Sequence, residues 1–246
     1  MDGTVLVTGG TRGIGRALTE RLIGAGARVA VVGRDRERLA ELAAEHGERV
    51  TAWPVDLADP AAVDGFLNEV TERHPDLSVV INNAAVQTQT DFLGADPVAM
   101  RPVLRREIAI NLDALVAIST GLLPHLRERP AAAIVNLTTG LALAPKRAAP
   151  VYCATKAGVR SFTRALRYQC ERDAPHIRVA EAIMPVVDTD MTRGRGTGKI
   201  SADVAAAAVL AGLERGRAEI YVGKARLLPA IMRIAPAAGH RLLRDG

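Results

Sequence analysis

The sequence is poor in aromatic residues, in cysteine and in histidine. Aromatic residues make up 3% of its 246 residues, which is too few for a stacking platform on single-stranded nucleic acid. The two cysteines, Cys153 and Cys170, cannot build a disulfide framework and favour a reducing compartment. Because they form no CxxC pair, and the five histidines form no HxxxH pair, we expect no metal site.

Long apolar runs and runs of like charge are missing too. The longest stretch without a charged residue, 130–145, contains Asn136, Thr138 and Thr139, so we expect no membrane span. Asp2 and the glycines from Gly9 onward leave no room for a signal peptide, which predicts a cytoplasmic location. The formal net charge is only +5. We therefore expect no nucleic-acid partner; binding through a basic surface is a minor alternative that salt-dependent retention on DNA would reveal.

Short β-branched segments alternate with longer helical patterns along the whole chain. The predicted strands are 4–7, 28–32, 50–52, 77–81, 132–137, 177–180 and 219–222, and the predicted helices are 14–25, 36–44, 61–73, 98–126, 151–172 and 201–215. Apolar strands separated by helices predict parallel pairing with right-handed crossovers. The expected fold is α/β, a single doubly wound parallel sheet in a Rossmann-like three-layer αβα sandwich. Residues 1–223 would form the catalytic domain, with a mobile substrate lid at about 186–200, followed by a short C-terminal extension over 224–246.

A glycine-rich segment, residues 8–15 (TGGTRGIG), follows the first predicted strand and opens the first predicted helix. Gly9 permits a tight turn, Gly13 lets the backbone approach a pyrophosphate, and Gly15 allows close packing of helix on sheet. The helix N-terminus offers unpaired N–H groups to phosphates. The segment predicts a dinucleotide site, with a plain strand-to-helix turn as the alternative. Its candidate residues are Gly9, Thr11, Arg12, Gly13, Ile14 and Gly15.

The spacing TGxxxGxG resembles that of the short-chain dehydrogenase/reductase family. Residues 82–85 (NNAA) resemble the family's NNAG segment, with Ala85 in place of glycine, and Asn111 falls where the family keeps an asparagine. Residues 152–156 (YCATK) match its YxxxK motif. The resemblance covers about residues 4–222. It implies an oxidoreductase that transfers a hydride between a nicotinamide cofactor and a small carbonyl or alcohol, and a homodimer or homotetramer.

Tyr152 and Lys156 are the candidate catalytic pair. Residues four apart share one helix face, so the Lys156 ammonium can reach the region of the Tyr152 hydroxyl. A phenol has a pKa near ~10, and a nearby cation favours its ionised form. The alternative is a surface lysine one turn from a core tyrosine.

The resemblance supplies two further catalytic candidates. Thr139 stands thirteen positions before Tyr152, where the family places a serine that orients the substrate oxygen; Thr138 is the alternative donor if the register is off by one. Asn111 would hold a water in a proton relay to Lys156. The departure from serine, together with Ala85, leaves open a catalytically weakened NADP-binding scaffold or redox sensor of the same fold.

The choice of cofactor depends on the end of the second strand. An acid there would bind a ribose 2′-hydroxyl, but this chain has Gly33 and then Arg34. Arg34 and Arg12 carry forked donors that suit a 2′-phosphate, so NADP(H) is predicted in preference to NAD.

Other cofactor contacts come from the resemblance. Asp56 and Leu57 would contact the adenine, and Asn83 and Ala84 would line the site. Residues 185–191 (PVVDTDM) resemble the family's PGxVxTxM without its glycine. They would place Pro185, Val187 and Thr189 at the cofactor, with Thr189 on its nicotinamide side.

The C-terminal extension carries apolar residues among basic ones and resembles the tail of a DltE-like branch of bacterial short-chain oxidoreductases. An interface or lid helix, a disordered basic tail and a membrane-surface helix are its three interpretations. Pro229 and Pro236 argue against a long membrane-surface helix.

Overall fold

The computed structural model describes residues 3–194 and 196–245. Met1 and Asp2 of the predicted domain, Arg195 of the predicted lid and Gly246 of the predicted extension lie outside these residues.

A seven-stranded parallel sheet forms the centre of the fold. Its strands run in the order β3-β2-β1-β4-β5-β6-β9. They are β1 (Thr4–Thr8), β2 (Arg28–Gly33), β3 (Val50–Pro54), β4 (Leu77–Asn82), β5 (Ala132–Thr139), β6 (Ile177–Met184) and β9 (Glu219–Tyr221). A separate pair, β7 (Val187–Asp188) and β8 (Ile200–Ser201), closes the base of the loop between them.

Helices cover both faces of the sheet. They are α1 (Gly13–Gly24), α2 (Arg36–His46), α3 (Pro60–Arg73), α4 (Pro97–Ile108), α5 (Ala114–Gly121), α6 (Leu123–Arg127), α7 (Pro150–Asp173), α8 (Ala202–Glu214), α9 (Leu228–Ile234) and α10 (Pro236–Arg244). The alternation within β1 shows why two layers form: Val5 and Val7 join the core under α1, α2 and α8, while Leu6 joins the core under α3, α5 and α7. The predicted three-layer α/β fold is confirmed.

Aspartates define the starts of three helices. Asp35, Asp59 and Asp96 each accept a hydrogen bond from a backbone N–H in the first turn of α2, α3 and α4. Proline follows Asp59 and Asp96 at the first helical position, where its missing N–H costs nothing.

The predicted helical region over 98–126 is helical almost throughout, but it is not one continuous α-helix. It is interrupted by a π-helical turn at Ala109–Asp113 and again between α5 and α6. Pro124 explains the second break, because it has no N–H to continue the helical ladder. The π-turn contains Asn111 and has no proline or glycine to mark it in the sequence.

The strand order reverses between β1 and β4, and ligands of such sheets bind in the crevice outside the carboxyl ends of the strands. The glycine-rich segment, Asn83 and Thr139 lie at the carboxyl ends of β1, β4 and β5. Within the described residues, no helix is both long enough and apolar enough to cross a bilayer.

Candidate active site

Tyr152 and Lys156 lie in the first two turns of α7. Both side chains are buried, and Nζ of Lys156 lies 5.9 Å from the centroid of the Tyr152 ring. Nζ donates a hydrogen bond to the carbonyl oxygen of Leu137 at 2.9 Å. Burial lowers the pKa of Lys156 to about 8. The two side chains therefore share one face of α7, with the ammonium tied to the end of β5.

Thr139 and Thr138 point to opposite sides of β5. Thr139 is half-buried at the strand's last position, where its hydroxyl accepts a hydrogen bond from the Leu141 N–H at 3.4 Å. Thr138 is buried and donates to Oε1 of Glu181 at 2.5 Å. Glu181 in turn pairs with Arg160. Thr138 is thus engaged in a buried ion-pair network, and Thr139 is the hydroxyl at the open end of the strand.

Asn111 occupies the π-helical turn and is fully buried. Its side-chain amide both donates to the Val86 carbonyl and accepts from the Val86 N–H, each at 2.8 Å. Its Nδ2 also donates to Oγ1 of Thr155 at 3.3 Å. The amide therefore fastens the segment after β4 to α7.

The glycine-rich segment has the backbone expected of a phosphate cradle. Gly9 and Gly13 adopt positive φ angles of 67° and 54°, which residues with a side chain rarely adopt. A Cβ on Gly15 would lie 2.1 Å from the Gly9 carbonyl oxygen. The start of α1 has no side-chain cap and no acid in its first turn, so its N–H groups suit a pyrophosphate. These features fit a dinucleotide cofactor.

Thr8 joins the glycine-rich segment to the end of β4. Its hydroxyl accepts hydrogen bonds from the backbone N–H groups of Asn83 and Ala84, both at 3.0 Å. The Asn83 side chain donates back to the carbonyls of Thr8 at 3.0 Å and Gly9 at 3.2 Å. Thr8 is not among the residues predicted for the site, although a threonine that ends a strand beside a glycine loop is a usable signal.

The segment after β6 also reaches the glycine-rich loop. A Cβ on Gly13 would lie 3.1 Å from Cγ2 of Thr189. Val187 is buried and pairs with Ile200, so β7 and β8 hold both ends of the predicted lid. The structure thus brings Thr189 beside Gly13 without the glycine that the family pattern has after Pro185.

Charged residues surround the predicted adenosine end. Arg12 and Arg34 are exposed, and neither forms an ion pair within residues 3–194 and 196–245. A cavity of about 470 Å³ lies between Thr11 and α2, lined also by Arg16, Arg38 and three acids. Arg16 and Arg38 pair with carboxylates, so Arg12 and Arg34 are the two cations of this end that suit an anion.

Asp56 is engaged by a residue that no sequence motif indicates. Nη2 of Arg106 contacts both carboxylate oxygens of Asp56, at 2.9 and 3.0 Å. Burial opposes ionisation of this carboxyl, but hydrogen bonds from Ala58 and Arg106, and the charges of Arg106 and Arg34, hold its pKa below the usual value. Arg106 lies fifty positions away on α4, so no local pattern predicts the pair.

Glu107, next to Arg106 on α4, is a second residue that the motifs do not indicate. It is completely buried, and its Oε2 accepts a hydrogen bond from the Thr88 N–H at 3.2 Å. Its other oxygen has no hydrogen-bond partner among the described residues. Burial raises the pKa of this carboxyl. Glu107 thus holds the backbone of the segment after Val86 through this hydrogen bond.

A comparison with known protein families identifies the family to which this site belongs. Residues 3–199 match the family model described as short chain dehydrogenase. This chain belongs to the short-chain dehydrogenase/reductase family. It is therefore an oxidoreductase, of a fold that binds a nicotinamide cofactor, and the family membership expected from the motifs is confirmed.

Two relatives of this short-chain dehydrogenase cover most of it. An uncharacterized oxidoreductase DltE of Bacillus subtilis is 37% identical over 225 residues, covering 89% of this chain and 87% of the relative. Sulfoacetaldehyde reductase 2 of Chromohalobacter salexigens is 35% identical over 205 residues, covering 80% and 78%.

Solved structures give the same fold with either cofactor. A short chain dehydrogenase of Burkholderia cenocepacia in complex with NADP has a TM-score of 0.84 and 29% identity, covering 99% of this chain and 98% of the other. A Burkholderia phymatum short chain dehydrogenase/reductase in complex with NAD has a TM-score of 0.82 and covers 99% and 95%. Its 19% identity makes it similar in fold alone.

Proposed function

We propose that this short-chain dehydrogenase reduces a ketone or aldehyde with NADPH, or oxidises the corresponding alcohol with NADP, and that Tyr152 transfers the proton. The observation that carries the proposal is the buried ammonium of Lys156 beside the Tyr152 ring. A lysine buried there destabilises the fold. In return, the positive charge of Lys156 can stabilise a phenolate on Tyr152.

A nicotinamide held by the glycine-rich loop and Lys156 would supply a hydride for the carbonyl carbon. Tyr152 donates its hydroxyl proton to the carbonyl oxygen, which leaves a phenolate. The ammonium of Lys156 stabilises that phenolate and would also hold the nicotinamide ribose, while the Thr139 hydroxyl orients the substrate oxygen. Asn111 would hold a water in a proton relay to Lys156; its side-chain amide is engaged by Val86 and Thr155, which fixes the position of its backbone.

NADP(H) is the proposed cofactor. Arg12 and Arg34 would bind the 2′-phosphate, because they are exposed beside the glycine-rich loop and no acid ends β2. The similar Burkholderia cenocepacia structure holds NADP; NAD is the less favoured choice. The other residues proposed to hold the cofactor are Gly9, Thr11, Gly13, Ile14, Gly15, Asp56, Leu57, Asn83, Ala84, Tyr152, Lys156, Pro185, Val187 and Thr189.

The substrate side is mainly apolar. Leu141, Ala142 and Leu143 follow Thr139, and Lys146 comes shortly after them. This composition favours an apolar carbonyl compound, and the charge of Lys146 would favour one that also carries an anionic group. The relative named sulfoacetaldehyde reductase makes an aldehyde that carries an anionic group a natural member of the test panel.

Replacing Tyr152 by phenylalanine tests the proposed function. We expect Tyr152→Phe to lose at least about 100-fold in kcat, the usual contribution of a positioned general acid. NADPH affinity, measured by fluorescence titration, should stay within about twofold because the ring remains. The wild-type protein is assayed in parallel for NADPH oxidation with aldehydes, ketones and sulfoacetaldehyde. Turnover retained in Tyr152→Phe would contradict the assignment.

A scaffold or redox sensor that binds NADP without turnover is the second candidate. Thr139 favours it, because its methyl group narrows the place where the family has serine. Tight NADPH binding with no turnover across the whole panel would support this candidate, and Thr139→Ser would then be expected to restore reduction.

A further inference from the structure

The C-terminal extension packs directly behind the candidate active site. Gly140 follows Thr139, and a Cβ built on Gly140 would lie 2.5 Å from Cδ1 of Leu228 and 3.7 Å from Cδ1 of Leu243. Leu228 comes from α9 and Leu243 from α10. Both helices thus contact the chain one residue beyond the hydroxyl that is proposed to orient the substrate.

Polar contacts hold the other end of the same segment. The Arg147 N–H donates to the Arg244 carbonyl at 2.9 Å, and the Arg147 side chain pairs with Asp245 at 3.0 Å. Residues 140–147, the segment between Thr139 and α7, are therefore held by the extension at both ends.

A small apolar cluster anchors the extension. Leu228 is buried in a small apolar cluster with Ile183 and Ala225, and Leu143 and Leu243 lie against that cluster. Between α9 and α10, a Cβ on Gly239 would lie 2.4 Å from Sδ of Met232, so this glycine allows close approach of the two helices. A displacement of Leu228 or Leu243 would therefore also displace the segment 140–147.

We propose that Leu228 and Leu243 are positioning residues that set which carbonyl substrates the site accepts. They hold Thr139 and the apolar wall at 141–143 against the reacting carbonyl. The proposal rests on the proposed reduction of carbonyl compounds and adds its determinant of substrate size. It also assigns the extension the role of a wall, in place of a disordered tail or a membrane-surface helix.

Two matched leucine pairs, each a packed leucine and its exposed neighbour in the sequence, make the test specific. Leu228→Ala and Leu243→Ala remove the packed side chains. The controls are Leu227→Ala and Leu242→Ala, whose residues are neighbours in sequence but 61% and 64% exposed. Each variant is assayed with NADPH and straight-chain aldehydes of increasing length, and kcat and KM are determined separately for each aldehyde.

We expect the ratio of kcat/KM for the longest and shortest aldehydes to change by about tenfold or more in the two packed variants, because small displacements of positioning groups have effects of that size. The ratio should stay within about twofold in the two controls. NADPH affinity should be unchanged in all four, since these leucines lie on the substrate side of the site.

A wedge at Gly140 provides a second, independent readout. The methyl group of Gly140→Ala would collide with Cδ1 of Leu228. This single substitution should therefore alter the ratio of kcat/KM for long and short aldehydes. Combined with Leu228→Ala, the methyl group fills the vacated space, so the ratio should return toward the wild-type value, a non-additive result. Leu243→Met should retain the wild-type ratio. Asp245→Asn tests the contact with Arg147 without changing the apolar core. These two milder variants keep the proposal testable if one of the alanine variants fails to fold.

An unchanged ratio in folded Leu228→Ala, Leu243→Ala and Gly140→Ala, with lower thermal stability only, would show a purely structural role and overturn the proposal. A wild-type protein that binds NADPH yet reduces no carbonyl compound would instead reject the proposed function, and this inference with it. The two failures are distinguished by the wild-type assay.

Discussion

A buried ammonium group costs free energy, and Lys156 has one that is 3% exposed. The shift of its pKa from 10.5 to about 8 corresponds to about 3 kcal/mol of unfavourable burial at neutral pH. Nζ of Lys156 donates a hydrogen bond to the Leu137 carbonyl. Lys156 thus lowers the stability of the fold and places a positive charge beside Tyr152.

Lys156→Met should therefore be more stable than wild type by about 1–3 kcal/mol at pH 7, and inactive. The folded state binds the Lys156 proton less tightly than the unfolded state, so the cost is complete below pH 8. It disappears as the pH rises from about 8 to 10.5, and the advantage of the variant should disappear with it. Urea unfolding at pH 7 and pH 10 measures this, with the exposed Lys224→Met as control. An advantage that does not depend on pH would contradict the explanation.

Arg34 carries the choice of cofactor in our proposal. Arg34→Ala should weaken NADPH binding by about 10- to 100-fold, the value of a charge-assisted hydrogen bond to a phosphate, and leave NADH binding unchanged. Arg36→Ala, which removes the same charge two positions away, controls for general electrostatics. Equal losses for NADPH and NADH in Arg34→Ala, by fluorescence titration, would place the 2′-phosphate elsewhere.

Local spacing could predict some residues of the candidate site and not others. Tyr152 and Lys156 come from one helix, so their shared face follows from a separation of four. Arg106 and Asp56 meet across fifty positions, and Glu107 reaches Thr88 from another element. Such pairs depend on how the helices pack, which no single segment of sequence records.

At the scale of elements, the glycine-rich loop and α1 form one unit. Gly15→Ala would place a Cβ 2.1 Å from the Gly9 carbonyl, so we expect a loss of stability of about 1–3 kcal/mol and of NADPH binding. At Gly24, the other end of α1, a methyl group would meet no atom within 4 Å among the residues that the structure describes. Gly24→Ala should instead gain up to about 1 kcal/mol. Urea unfolding and NADPH titration compare the two; normal NADPH binding by Gly15→Ala would contradict the role of the loop.

The hydrophobic pattern of the sequence predicts the strands and the capped helices closely. It does not predict where a helix is interrupted. After Arg28, the predicted strand 28–32 is apolar and mostly β-branched, and β2 is found at Arg28–Gly33. The π-turn around Asn111 depends on the bonds of that amide to Val86, a contact between elements. The two helices of the extension likewise depend on the surface of 140–147 that they cover.

At the scale of the whole molecule, the two apolar cores use nearly all large aliphatic residues of the sheet. Some large apolar residues remain outside these cores. Ile108 at the end of α4 is 43% exposed and Tyr168 on α7 is 61% exposed. The two helices pack against each other, and each leaves an apolar side chain exposed that a second copy of the chain could cover.

We expect the protein to be a homodimer or homotetramer that uses this surface. Replacing Ile108 and Tyr168 together by arginine should lower the assembly state, because two unpaired cations would be buried at the contact. Leu227→Arg, at an exposed position on the extension, should not. Size-exclusion chromatography with light scattering measures the mass of each form. A monomeric wild type would contradict the expectation, and an unchanged mass in the double variant would move the contact to another face.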